Sequence, residues 1–122
     1  MDESALKRWL EEYGRAWENR DPEAAAGLYA EDGSYQVTPF VEPLRGREAI
    51  RNYWVTVVRT EKDIYFWYEI LTQSDRFGMA HWRASFEIVP QELKTRLDGI
   101  FLIQLDASGK CTALREWWHK QQ

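Results

Sequence analysis

The sequence holds one cysteine, two histidines, two methionines and four prolines in 122 residues. A single thiol, Cys111, excludes an internal disulfide and a cysteine-rich metal site. The two imidazoles, His81 and His119, fall on opposite strand faces by alternation. One of them with Glu116 is too small a shell for stable zinc, so no metal is expected. No apolar run approaches the length that spans a bilayer. The acidic start Met1-Asp2-Glu3-Ser4 lacks the basic and apolar segments of a secretory signal. Basic blocks are missing too: 16 Lys and Arg against 20 Asp and Glu give a net charge of −4 and a pI near 5.2. That balance argues against nucleic acid or an anionic membrane as partner. There is no glycine-rich phosphate loop and no serine or cysteine elbow, so neither a nucleotide cofactor nor a nucleophilic triad is indicated. Together these absences describe a soluble protein of a reducing compartment, the cytoplasm, that works without cofactors.

What the sequence has in excess is aromatic rings: 7 Trp, 6 Tyr and 5 Phe, or 15% of residues. With 44% hydrophobic residues the chain is no disordered segment, and its length suits one domain over residues 1–122. Rings in this number can build a core, a ligand pocket or a protein interface, and composition does not choose among them.

Periodicity organises the chain. Leu6, Trp9, Leu10, Tyr13, Ala16 and Trp17 recur at helical spacing over residues 4–19. Asp21-Pro22 opens a second helix, predicted to run through Leu28 and Tyr29 until Asp32-Gly33. A short strand over 34–38 precedes a loop with Pro39 and Pro43. A third helix reads Ala49, Ile50, Tyr53, Trp54, Val57 and Val58. From Asp63 the period becomes two, giving strands over 64–72, 77–89, 96–105 and 111–119. Helices first and an antiparallel meander after them make an α+β domain, with helices packed on one face of a curved antiparallel sheet.

Several segments carry a resemblance: Tyr13-Gly14-Arg15-Ala16-Trp17, then Leu28-Tyr29-Ala30-Glu31-Asp32-Gly33, then Pro43-Leu44-Arg45-Gly46-Arg47-Glu48-Ala49-Ile50. The last is Gly109-Lys110-Cys111 through Arg115-Glu116-Trp117-Trp118. In this order they resemble the nuclear transport factor 2-like superfamily, in particular its SnoaL-like members, over nearly the whole chain. The resemblance implies a cone-shaped sheet around the first helix, an apolar cavity open at one end, and dimerisation through the outer sheet face. Against ketosteroid isomerases, Tyr13 matches the helix tyrosine, but Val37 and Phe101 stand where the two aspartates belong. Without those carboxyl groups that activity is not expected. Against limonene-epoxide hydrolases, Tyr35 and Glu116 match a tyrosine and a carboxylate. Val37 replaces the asparagine, and His81 and Arg83 fall on the arginine and second aspartate, so epoxide hydrolysis is not expected either.

Alternation then suggests which polar groups share the cavity. Leu114, Glu116 and Trp118 would face inward together, with Tyr35 and Val37 from the early strand. An inward His81 carries Arg83 and Ser85 with it and turns Trp82 and Phe86 outward. The expected site is a largely apolar small-molecule pocket lined by Tyr13, Trp17, Tyr35, Val37, Phe101 and Trp118. In it Glu116 acts as base, His81 as acid or relay, and Arg83 as holder of Glu116 or of a substrate anion. Isomerisation, hydration or dehydration, and ring closure are the matching reaction types. The alternatives stay open. Glu116 and Arg83 can form a purely structural ion pair, His81 and the phenols can be satisfied core groups, and the domain can bind without catalysing. Trp82, Phe86 and Trp117, read as outward, are the expected homodimer surface.

Overall fold

The computed structural model describes residues 3–122. Helix α1 (Glu3–Glu18) buries Leu6, Trp9, Leu10, Tyr13, Ala16 and Trp17 along one stripe, as their spacing requires. Helix α2 (Pro22–Ala26) starts at Asp21, whose carboxylate accepts a hydrogen bond from the Ala24 amide at 3.1 Å. It is shorter than its sequence pattern predicts. The Leu28 carbonyl accepts from the Cys111 amide at 2.9 Å, and Tyr29 already belongs to strand β1 (Tyr29–Gln36). A five-residue helix has little cooperative stability of its own, so pairing with a neighbouring strand takes the chain away from it.

After β1 come the two-residue strand β2 (Leu44–Arg45) and helix α3 (Arg47–Arg59), which buries Ile50, Trp54 and Val58. Strands β3 (Glu61–Gln73), β4 (Gly78–Ile88), β5 (Leu93–Leu105) and β6 (Cys111–Gln121) form an antiparallel meander. The sheet order is β2-β1-β6-β5-β4-β3, curved and unclosed, with α1 and α3 packed on its inner face and α2 packed against those two helices. It is a mixed sheet rather than an antiparallel one, because β1 runs parallel to β6. No described helix is long and apolar enough to cross a membrane.

Register sets out the two faces. Tyr68, Trp82, Gly99 and Trp118 lie in one cross-strand row, and Ile70, Ala80, Phe101 and Glu116 in the next. Both rows belong to the inner face, where Ala80, Trp82, Ala84 and Phe86 are buried. The outer rows are Trp67, Arg83, Asp98 and His119, and Glu69, His81, Ile100 and Trp117. The expected orientation of β4 is therefore reversed: His81, Arg83 and Ser85 point out, and Trp82 and Phe86 point in. Turning two large rings inward removes far more apolar surface from water than burying His81 and Arg83 would. It also avoids desolvating a guanidinium, which costs several kcal/mol. Trp82 and Phe86 thus leave the expected dimer surface, and only Trp117 of that set stays outside, 37% exposed.

Gly99 is the position that lets Trp82 lie flat against β5. A Cβ there would stand 2.5 Å from the Trp117 carbonyl oxygen and 2.9 Å from both Trp82 Cε2 and Trp118 Cβ.

Candidate functional site

A cavity of about 290 Å³ opens between α1, α3 and the inner sheet face. The stripe of α1 sends Tyr13 and Trp17 into it, β1 sends Tyr35, and β6 sends Glu116 and Trp118. Helix α3 adds Tyr53 and Trp54, and the first residue of β3 adds Glu61. Val37 and Phe101 are not on its wall. Val37 lies just beyond β1, half-buried, and its carbonyl accepts the Trp118 indole N–H at 2.9 Å. Phe101 is fully buried in the packed core, its ring stacked on Trp82 at 5.0 Å and edge-on to Tyr13 at 5.3 Å.

Glu116 is the polar centre of the cavity. It is 4% exposed and accepts a hydrogen bond from the Tyr35 hydroxyl at Oε1. Among the described residues no Lys, Arg or His forms an ion pair with it. Burial pushes its carboxyl up to about 8, against the downward pull of the Tyr35 bond. The same burial, with the charge of Glu116 nearby, raises the phenols of Tyr13, Tyr35 and Tyr53 above their usual range. Glu61 is the second cavity carboxyl, 8% exposed, and accepts the Trp17 indole N–H at 2.8 Å. Burial pushes it up to about 7, while the Trp17 bond and the Arg20 charge oppose the rise.

His81 and Arg83 stand on the other side of the sheet. His81 Nδ1 lies 3.1 Å from Glu69 Oε1 and its Nε2 2.9 Å from Asp98 Oδ1. Arg83 Nε donates to Asp98 Oδ2 at 2.9 Å, and its guanidinium lies 5.2 Å from the Trp67 ring centre. Asp98 is accordingly the hub of an outer-face network in mid-β5. Glu116 and Arg83 are separated by the sheet, so the structural ion pair between them does not exist. A wider groove of about 640 Å³ crosses this outer face past Tyr65, Trp67, Arg83 and Asp98. Its polar groups are solvated and paired with one another: the Glu69 bond holds the His81 proton affinity up and the Arg83 bond holds that of Asp98 down, whereas the shifts in the smaller cavity come first from desolvation. Among the described residues no three His, Cys, Asp or Glu side chains gather as a metal shell would need.

The arrangement of cavity, helices and mixed sheet agrees with sequence comparison. The model of the SnoaL-like domain family matches residues 10–114. The chain belongs to this family.

Solved structures extend the agreement in fold. Rv0760c of Mycobacterium tuberculosis superposes with a TM-score of 0.85 at 15% identity, covering 99% of this chain and 98% of that one. The same protein has been solved in complex with estradiol-17beta-hemisuccinate. The epoxide hydrolase/cyclase-like enzyme SalBIII, of pyran ring formation in salinomycin, has a TM-score of 0.83 at 19% identity, covering 97% and 93%. A candidate scytalone dehydratase from Novosphingobium aromaticivorans gives 0.83 at 16% identity, covering 97% and 85%. At these identities the likeness shows the fold. No curated protein matches the sequence significantly.

Tyr53 and Glu61 are among the cavity residues of this SnoaL-like domain that escape sequence reading. Tyr53 sits at helical spacing in the apolar pattern of α3, where a phenol is indistinguishable from a core ring. Glu61 falls at the junction of α3 and β3, where the period changes and neither alternation rule applies.

Proposed function

We propose that the cavity binds a small, largely apolar molecule and that Glu116 moves a proton on it without a cofactor. Isomerisation, hydration or dehydration, and ring closure are the reactions this arrangement serves. The observation that carries the proposal is one buried carboxyl, bonded to Tyr35, in no ion pair among the described residues and with a cavity before it. A carboxyl raised to about 8 titrates near the working pH, where one group can both give and take a proton. The Tyr35 hydroxyl steadies the carboxylate when the proton leaves, and Tyr13 and Tyr53 are further donors for a substrate oxygen. With His81 and Arg83 on the outer face, the phenols and Glu61 replace them as partners of Glu116. The cyclase-like and dehydratase-like neighbours support the class of chemistry by analogy of fold. The volume, near the lower end of small-molecule pockets, supports a compact ligand.

Native mass spectrometry of freshly purified protein is expected to reveal a co-purifying small molecule. With its turnover as the assay, Glu116→Gln should lower kcat by about a hundredfold or more. Unchanged turnover would sink the acid–base reading and leave a binding module.

The outer face favours a second role. Tyr65, Trp67 and Trp117 are 69%, 45% and 37% exposed there even with Arg83 and Arg115 set against the two indoles, a large aromatic area for a monomer. We propose that two copies pair through this face, with Trp67 and Tyr65 in place of Trp82 and Phe86. Sedimentation at micromolar concentration should show a dimer, and Trp67→Glu should dissociate it; a wild-type monomer contradicts the pairing.

A further inference from the structure

The cavity is unusual in the sign of its ionisable groups. Both of its buried charged residues, Glu61 and Glu116, are acids, and they enter from different strands, β3 and β6. The groups facing Glu116 are phenols, those of Tyr13, Tyr29, Tyr35 and Tyr53. Glu61 faces Trp17 and Tyr53, with Arg20 to one side. The Arg20 guanidinium is held by the Val58 carbonyl at 2.8 and 3.1 Å, so it does not reach the carboxylate as an ion pair. Lys120 borders the cavity with an exposed side chain. The remaining wall carries four indoles, those of Trp17, Trp54, Trp82 and Trp118, beside threonines and aliphatic side chains.

We infer that the ligand of this cavity carries an ammonium group, primary to quaternary, on a compact apolar body. Once ionised, the two carboxyls repel an anion and lack the counter-charge that a buried carboxylate requires, which a bound cation supplies. Aromatic faces attract a cation through their quadrupoles, most strongly where water is excluded, and indole is the best of them. Carboxylates with aromatic walls therefore favour a cation over a neutral molecule of the same shape. The binding step also bears on the chemistry. A cation beside Glu116 favours its ionised form, so substrate of this class finds it ready as a base.

The inference rests on reading the cavity as a small-molecule site, and one experiment separates the two. Isothermal titration calorimetry would compare choline with its uncharged isostere, in which carbon replaces nitrogen. The fixed charge of choline leaves only the protein to titrate. Above pH 8, where both carboxyls ionise, choline should bind about tenfold or more tightly than the isostere. The preference should fall as both carboxyls take up protons below pH 7. Glu61→Gln and Glu116→Gln, each checked for native near-ultraviolet circular dichroism, should each reduce the preference. An isostere that binds as tightly as choline, or a preference indifferent to pH, overturns the ammonium inference and leaves the cavity reading standing. Binding of neither probe overturns both.

Discussion

Tyr35 and Glu116 lie 81 positions apart in the chain, yet the hydroxyl of one is bonded to the carboxylate of the other on neighbouring parallel strands. That bond restrains the rise of the Glu116 proton affinity that burial causes. Tyr35→Phe should therefore move the Glu116 titration further upward, as read by carbon NMR of the labelled carboxyl. Above pH 8, where Glu116 is ionised, the loss of this buried, charge-assisted bond should cost about 1.5–3 kcal/mol in chemical denaturation. A titration unmoved or lowered would show that the bond does not act on the carboxyl.

Stability should depend on pH in a direction set by the two cavity acids. Glu116 titrates at about 8 in the fold against 4.5 as its ordinary value, and Glu61 at about 7. Between the ordinary and the raised values the folded chain holds protons that the unfolded chain has released. Stability then falls as pH rises, by at most about 1.4 kcal/mol per unit for each acid, and the Glu116 contribution levels off above about pH 8. Glu116→Gln should flatten part of that slope and gain stability relative to wild type at the alkaline end. Denaturant midpoints across the range would check it, and parallel curves for the two proteins would contradict it.

Gly99→Ala places a methyl group against the Trp117 carbonyl, the Trp82 ring and the Trp118 Cβ. Backbone on one side leaves no flexible atom to yield, so a loss of about 1–3 kcal/mol is expected in urea unfolding. Because Trp82 and Trp118 both border the cavity, ligand affinity should weaken with it.

His81→Gln tests the outer face. The His81–Asp98–Arg83 network is partly solvated, and pairs of that kind contribute no more than about 1 kcal/mol. The substitution should leave cavity binding unchanged and shift the denaturation midpoint little. A loss of turnover as deep as that of Glu116→Gln would return His81 to the chemistry.

Much of the fold was legible in the sequence because it depends on local pattern. The stripe from Leu6 to Trp17, the Asp21 cap and the period-two strands after Asp63 each follow from which side chains must leave water. The conversion of Leu28-Tyr29 from helix to strand did not follow, since it depends on a partner, Cys111, far along the chain. The parity of β4 was legible too, in Ala80, Trp82, Ala84, Phe86 and Ile88, but aligning His81 to a family position hid it.

By itself the sequence determined the family, the aromatic wealth and the presence of a carboxyl at position 116 on a half-apolar strand. Tertiary structure decided the company that carboxyl keeps. Sheet register set Arg83 on the far face, away from Glu116, and the α3–β3 junction brought Glu61 into the same cavity. The physical reason is that proton affinity and charge balance are fixed by neighbours in space. Those neighbours come from β1, α3, β3 and β6, whose alignment is a property of the packed sheet and not of any one segment.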